Sequence, residues 1–367
     1  MKVLFVFGTR PEGIKMAPII KEVQKRDKFQ CYTCVTGQHR EMLDQVLEIF
    51  DIKPDYDLNI FKKGQSLTDV TTKTLLGLEE ILDELKPDIL LVQGDTTTVF
   101  AAALAAFYKK IKIGHVEAGL RSGNLYSPYP EEANRKLTGV ISNYHFAPTK
   151  SNKKNLLEEG YDEKNIFITG NTVIDALKYS VKEDFVFDDE ILNNLDYNRD
   201  VVLLTAHRRE NWGKPMEDIF SAIRQVVMER ENLEVVFPRH LNPIVREAAE
   251  KYFADLDRVH LIEPLSYLPF SNLMARVKFV VTDSGGVQEE APALGKPVLV
   301  LRNETERMEG VEANTAKLVG TDSQDVYESI VSLLDNKDLY DEMAKAVNPY
   351  GDGHAAEKIV DVLEEMI

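Results

Sequence analysis

Short runs of apolar, β-favouring residues recur along this chain, and each is followed by a longer segment with helical periodicity. The runs are Val3 to Phe7, Tyr32 to Val35, Ile89 to Val92, Ile111 to Val116, Val201 to Leu204, Val235 to Phe237, Phe279 to Val281 and Val298 to Leu301. Strands that alternate with helices imply parallel sheets. Hydrophobicity within the runs is continuous rather than alternating, so helices are expected to cover both sheet faces. The pattern therefore predicts an α/β protein of doubly wound sheets. It loosens between Ile166 and Asp200, where a helix over Thr172 to Val181 precedes an acidic, Asn-rich stretch from Asp184 to Asn198, and it then restarts. A domain change is expected near Gly170 and Asn171, giving domains 1–170 and 171–354. A last helix, Ala355 to Met366, follows the turn Pro349-Tyr350-Gly351-Asp352-Gly353, and the segment 355–367 is expected to cross back onto the first domain.

The length of 367 residues suits two cores of ordinary size. Charge narrows the partners: 44 basic and 61 acidic side chains leave a net −17, without the clustered positive charge that nucleic acid or a membrane surface would require. An anionic substrate must then be met by a few placed cations. The start, MKVLFVFGTRPE, has only a short apolar run, unlike a signal peptide, and nowhere do about eighteen apolar residues run together. A cytoplasmic protein is expected. Cys31 and Cys34 have the spacing of a redox pair or half a zinc site. Their flanks alternate like a strand, which would splay the thiols, and no second pair matches, so reduced thiols are expected.

In open parallel sheets ligands bind beyond the carboxyl ends of the strands, where loops enter helix N-termini. After the first run stands Gly8-Thr9-Arg10-Pro11-Glu12, with Lys15 a turn later; this is neither a dinucleotide fingerprint nor a P-loop, but a glycine turn with two cations can seat an anion. Asp95, in Gln93-Gly94-Asp95-Thr96, either caps the next helix or faces a ligand. Glu117 ends an otherwise apolar run, where a carboxylate is costly unless paired or used. Glu131 and Arg135 would share a helix face as an i,i+4 pair. In the second half, Thr205-Ala206-His207-Arg208-Arg209 concentrates basic side chains suited to a phosphate or to proton transfer. His240 follows the next strand in the same way. Ser284-Gly285-Gly286 opens a helix where backbone amides can approach a pyrophosphate, Glu290 could accept ribose hydroxyl hydrogens, and Arg307 adds a cation. Anion-binding devices in both halves suggest one ligand held in a cleft between two domains.

The segments GTRPE, QGDT, HVEAGLRS, PEEANR, GNTVIDAL, TAHRREN, HLNP, DSGGVQEEAP, TER and NPYGDG together resemble the non-hydrolysing UDP-N-acetylglucosamine 2-epimerases, in the family's order from Met1 to the C-terminal helix. The resemblance implies two Rossmann-like domains facing across a cleft, the fold of the GT-B type of glycosyltransferase, with UDP bound by the second domain. It implies no metal or nicotinamide cofactor, and a homodimer. UDP contacts map onto Arg10, Ser284, Gly285, Gly286, Glu290 and Arg307, with Phe270 near the uracil and His240 and Leu265 also on the substrate. Lys15, Asp95, Glu117, Glu131, Arg135 and His207 match positions lining the sugar and diphosphate. Met308 replaces the proline usual after Thr305-Glu306-Arg307. In some bacterial members a second UDP-GlcNAc binds as an activator, through positions matching Gln38, Glu41 and an arginine where this chain has Gly64.

Inverting C2 of an N-acetylated sugar breaks a C–H bond that no neighbouring carbonyl acidifies. Loss of UDP from C1 supplies the activation, yielding 2-acetamidoglucal, and re-addition of UDP with a proton on the other face gives UDP-ManNAc for cell-surface polysaccharide. Asp95, Glu117, Glu131 and His207 are the expected catalytic residues, with Glu117 the main base. A glycosyltransferase of the same fold, a hydrolysing epimerase and a nucleotide-sugar sensor are the rival readings; the sensor has no need of three clustered acids.

Overall fold

In this computed structural model, which describes residues 1–366, the apolar runs are all strands. The first sheet contains β1 (Lys2–Phe7), β2 (Gln30–Val35), β3 (Tyr56–Asp57), β4 (Ile89–Gln93), β5 (Lys112–Val116), β6 (Tyr144–Ala147) and β7 (Ile166–Ile168). The second contains β8 (Asp200–Thr205), β9 (Leu233–Pro238), β10 (Val259–Ile262), β11 (Phe279–Thr282), β12 (Val298–Val300) and β13 (Ala316–Leu318). Their orders are β3-β2-β1-β4-β5-β6-β7 and β10-β9-β8-β11-β12-β13, and every pairing is parallel. Each sheet thus reverses direction once, between β1 and β4 and between β8 and β11, which is the doubly wound arrangement.

Val3 to Phe7 are wholly buried. In the first sheet, Leu4, Val6, Leu90 and Val92 pack against Leu78, Leu82, Val99, Ala102 and Ala106 of the flanking helices. In the second, Val202, Leu204, Phe237 and Val281 meet Ile219, Phe220, Ile223 and Phe253. Burying each such side chain contributes about 1.5–3 kcal/mol. The inner residues of β1 and β4 are all spoken for by packing, so polar chemistry can begin only past their ends. Cys31 and Cys34 lie on β2 as free thiols, with burial pushing both up to about 12, in keeping with the reduced reading.

The chain divides into two compact units, Met1–Tyr179 with Tyr350–Ile367, and Ser180–Pro349. The division follows Tyr179 rather than Gly170. Contacts explain the difference: the helix Thr172–Ser180 carries Asp175 to the C-terminal segment and sets the Tyr179 ring 6.0 Å from that of Phe50. The Asn171 amide donates to the Tyr350 carbonyl at 2.6 Å, so the return to the first unit starts at Tyr350, before the helix Ala355–Glu364. That helix buries Ile359, Val360 and Leu363. Its first turn is capped by the buried Asp175 carboxylate, which accepts the Ala356 and Ala355 amides at 2.9 and 3.2 Å. Near its other end Arg26 donates to Asp361 at 2.7 Å and Glu364 at 2.9 Å.

Beside the first sheet's carboxyl edge, His115 and His145 are paired in the β5–β6 register, and both are buried. His115 Nε2 lies 2.7 Å from the Gly94 carbonyl, which pins the turn after β4. Burial pushes His115 down to about 4, and burial followed by the neighbouring His115 pushes His145 down to about 3.

Two consequences follow for stability. Asp175→Ala would strand two helix N–H groups and is expected to cost about 1–3 kcal/mol, read as a lower denaturant midpoint; an unmoved midpoint would remove this cap from the account. Both histidines fold in the neutral form, so the unfolded chain binds more protons between their folded values and the ordinary 6.5. Stability is therefore expected to be fully present above about 6.5 and to fall as the pH is lowered toward 4. Urea titrations across that window check it, and the slope should flatten in His145→Phe.

Candidate active site

Chemistry-bearing residues gather at the two strand-order reversals. In the first unit, the turn Gly8-Thr9 leads from β1 into the helix Arg10–Gln24. Gly8 has no room for a side chain, since a Cβ there would sit 2.1 Å from Thr36 Oγ1. Glu12, buried in the helix's first turn, reaches back to accept the Gly8 and Thr9 amides at 2.6 and 2.8 Å. Its other oxygen accepts the Thr96 hydroxyl from the loop after β4. One carboxylate thereby ties together the two loops that flank the reversal, and burial raises its pKa against these hydrogen bonds.

Glu117 follows β5 directly and adopts φ +63°, a left-handed conformation that costs an ordinary residue roughly 1–3 kcal/mol and tends to mark sites. Its carboxylate receives Lys15 Nζ at 2.5 Å and the Gln93 amide, and its side chain is only 12% exposed. Asp95 does not cap the next helix; Thr96 occupies that position. Asp95 Oδ2 instead accepts Arg135 Nη2 at 2.7 Å and Nε at 2.9 Å.

The i,i+4 pair expected between Glu131 and Arg135 is not what forms. Arg135 turns to Asp95 and, at 3.1 Å, to Glu132, because the buried Glu132 is fixed nearby by the Ser122 and Gly123 amides at 3.0 and 3.3 Å. Burial opposes ionisation of Glu132, but these donors outweigh it and hold its pKa below the usual range. Glu131 lines a cavity of about 390 Å³ with Thr9, Arg10, Gln38 and Thr96. Gln38 accepts the Thr98 hydroxyl at 2.8 Å, and Glu41 is exposed on the helix Arg40–Ile49.

In the second unit the reversal brings the turn after β8 beside the turn after β11. Asp283, fully buried, accepts the His207 and Arg208 amides at 2.8 and 2.9 Å and the Asn211 side chain at 3.1 Å, all on Oδ2. His207 Nδ1 lies 3.1 Å from Oδ1, and the His207 ring stacks on His240 with centroids 5.8 Å apart. Ser284, Gly285 and Gly286 open the helix Gly285–Ala293. A Cβ on Gly285 would come within 2.6 Å of Arg307 Nη1, so glycine there is what lets the guanidinium lie over the helix start. Arg307 is held by Glu289 at 2.7 Å and Glu306 at 2.5 Å; these ion pairs fix the loop where Met308 stands. Burial works against the Glu306 charge, yet Arg307 and Arg302 bring its pKa to about 2. Glu290 is half-buried next to Gly286, and Leu265 and Phe270 are half-buried around the start of the helix Tyr267–Arg276.

The structure thus brings Lys15 to Glu117, Arg135 to Asp95, Glu131 to Arg10 and Gln38 around one cavity, His207 to His240, and Arg307 to Gly285, whereas Glu41 is exposed. Sequence reasoning passed over Glu12, Gln93, Glu132 and Asp283. Each sits within a quoted motif, but its role depends on partners across the sheet edge. Among the described residues no group of three His, Cys, Asp or Glu is placed to hold a metal ion, and no helix is long and apolar enough to cross a membrane.

Comparison with known proteins gives the arrangement its context. The sequence model of the family described as UDP-N-acetylglucosamine 2-epimerase matches residues 21–364. The UDP-N-acetylglucosamine 2-epimerase of Bacillus subtilis is 56% identical over 363 residues, spanning 99% of this chain and 95% of that protein. Among solved structures, the UDP-GlcNAc 2-epimerase from Neisseria meningitidis bound to UDP-GlcNAc is 51% identical, with 100% of each chain covered and a TM-score of 0.88. The S. aureus MnaA-UDP co-structure is 50% identical, covering 100% of this chain and 96% of that one, with a TM-score of 0.86. Two parallel sheets of seven and six strands, each doubly wound, make the fold GT-B-like. With agreement through both units in sequence and in fold, the chain belongs to the UDP-N-acetylglucosamine 2-epimerase family.

Proposed function

We propose that this protein interconverts UDP-GlcNAc and UDP-ManNAc without hydrolysis, by eliminating UDP to 2-acetamidoglucal and adding it back. The observation that carries the reading is Glu117: a largely buried carboxylate, in a strained backbone conformation, at a strand end and against an ammonium group. A relative solved with UDP-GlcNAc bound supports the substrate class.

In this reading Glu117 takes the C2 proton, the C–H electron pair becomes the C1=C2 double bond, and the C1–O pair leaves with the β-phosphate oxygen of UDP. Re-addition returns UDP to C1 while a proton reaches C2 from the opposite face, for which Asp95 and Glu131 are the candidates. Protons and electrons balance over the cycle, so nothing is consumed. The first unit supplies the groups acting on the sugar, with Lys15 and Arg135 beside the carboxylates of Glu117 and Asp95. The second supplies groups that hold UDP: Ser284 to Gly286 at a helix N-terminus, Glu290 on the ribose, Arg307 on the diphosphate, Phe270 and Leu265 at the base, and His207 with His240 at the departing oxygen, while Arg10 of the first unit adds a cation for the diphosphate. The product would supply ManNAc units for cell-surface polysaccharide.

An NMR time course with UDP-GlcNAc alone in deuterated water tests the scheme. UDP-ManNAc carrying deuterium at C2, with little free sugar, is expected; accumulation of free ManNAc and UDP would instead assign the chain to hydrolysis. In Glu117→Gln, turnover should fall by about 10²–10⁴-fold, the usual worth of a general base, while UDP affinity by calorimetry stays within about twofold. Near-normal turnover in that variant would move the base elsewhere.

A further inference from the structure

His207 is a surface-facing imidazole whose two nitrogens have different surroundings. Nδ1 lies 3.1 Å from Asp283 Oδ1, at ion-pair distance but off the line of a hydrogen bond, and Oδ1 is a buried oxygen with no other hydrogen-bond partner among the described residues. Asp283 itself cannot swing away. It is fully buried, and its other oxygen receives two backbone amides and the Asn211 side chain, at 2.8, 2.9 and 3.1 Å. Asn211 is tied in turn to the Leu301 carbonyl at 3.2 Å, beyond β12. Burial acts to raise the Asp283 pKa, but the His207 ring and the amides outweigh it and hold the group ionised. An ionised oxygen facing a ring nitrogen at this distance wants a proton there. The His240 ring lies alongside, 5.8 Å away between centroids and inclined by 21°.

We propose that Asp283 is the positioning residue for His207: it keeps hydrogen on Nδ1 in both ring states, so that the protonated ring gives its Nε2 proton to the departing diphosphate oxygen and the neutral ring, bare at Nε2, takes it back when UDP returns. The inference rests on the assignment of His207 given above and adds the group that orders it. The logic is that of a carboxylate fixing the tautomer of a catalytic imidazole, reached here with an aspartate whose second oxygen also builds the turn that carries the histidine. One side chain therefore sets both where His207 stands and which nitrogen it presents.

Asp283→Asn separates these two duties. The amide oxygen can still accept the His207 and Arg208 N–H groups, which keeps the turn. The amide nitrogen must then face Nδ1 as a donor, which forces the single hydrogen onto Nε2 and disfavours the doubly protonated ring that gives up a proton and the bare Nε2 that takes it back. With histidine labelled by ¹⁵N and the pH raised until the ring is neutral, two-bond correlation spectra of the wild-type enzyme are expected to show His207, identified by its absence in His207→Gln, as the Nδ1–H form; in Asp283→Asn it should become the Nε2–H form. Turnover should fall by on the order of 100-fold or more, as for other imidazoles held in the wrong tautomer, with KM and UDP affinity within about threefold. An Nε2–H tautomer in the wild type, or an unchanged tautomer and rate in the variant, would overturn the proposal. Unaltered turnover in His207→Gln, with the tautomer switch still seen, would instead leave Asp283 ordering the ring and remove His207 from catalysis. Asp283→Glu, one methylene longer, keeps the charge and should recover less than the wild-type rate while retaining the Nδ1–H signal.

Discussion

A parallel sheet covered by helices on both faces leaves its polar chemistry one place to gather, the carboxyl edge where strand order reverses. Val3 to Phe7, Ile89 to Val92 and Leu203 to Leu204 are buried almost completely, so none of those positions can carry a charge without a large desolvation cost. Polar chemistry therefore has room only one to three residues later, where Gly8, Asp95, Glu117, His207 and Asp283 stand. The low-dielectric sheet behind these residues also sets their behaviour, since a carboxylate there must find a partner. Glu12, Glu117, Asp95, Glu132 and Asp283 all do.

The partners are of two kinds. Glu12, Glu132 and Asp283 are held by backbone N–H groups, donors that cannot move without unfolding a turn. Such acids serve as pins: they shape the loops, and their protonation is linked to the fold. Glu117 and Asp95 are held by side chains, a lysine and an arginine respectively. Flexible cations can change partners when an anionic ligand arrives, leaving the carboxylate to take a proton. Backbone amides on Glu12, Glu132 and Asp283 thus mark acids that shape loops, even where a side chain such as Arg135 also donates to one of them, and burial alone does not make that distinction, because Glu132 is the most deeply buried acid of the first edge.

Eight strands were legible because they are central or broad enough to show a continuous apolar run. The other five are short or carry polar residues: β3 has two residues, β7 and β13 three, β6 includes His145 and β10 includes His260. Glu117 stood out as an acid ending an apolar run, a local signal. Asp283 and Glu12 gave none, because their meaning depends on residues 76 and 84 positions away. The bland alternative of an i,i+4 ion pair between Glu131 and Arg135 is likewise set aside by a residue distant in sequence. Helical spacing brings the two side chains to one face, but Asp95, 40 residues earlier, offers the guanidinium a partner at the sheet edge that helix periodicity does not reveal. The domain change was placed too early because the helix Thr172–Ser180 looks like a fresh start in sequence, whereas Asp175 binds it to the C-terminal helix of the first unit.

Reversibility gives the two kinds of partner a purpose. The proposed reaction joins two epimers of closely similar bond energies, so a group that removes a proton in one direction must deliver it in the other. An acid pinned by backbone donors keeps the same partners throughout the cycle. One neutralised by a movable ammonium can lose that partner to the diphosphate as UDP departs and become the better proton acceptor or donor as the charge shifts. His207 meets the same demand differently. With Nδ1 committed to an aspartate that stays ionised, a single nitrogen must give its proton to the leaving oxygen and take it back on return, and the hydrogen-bond geometry is then the same in both directions.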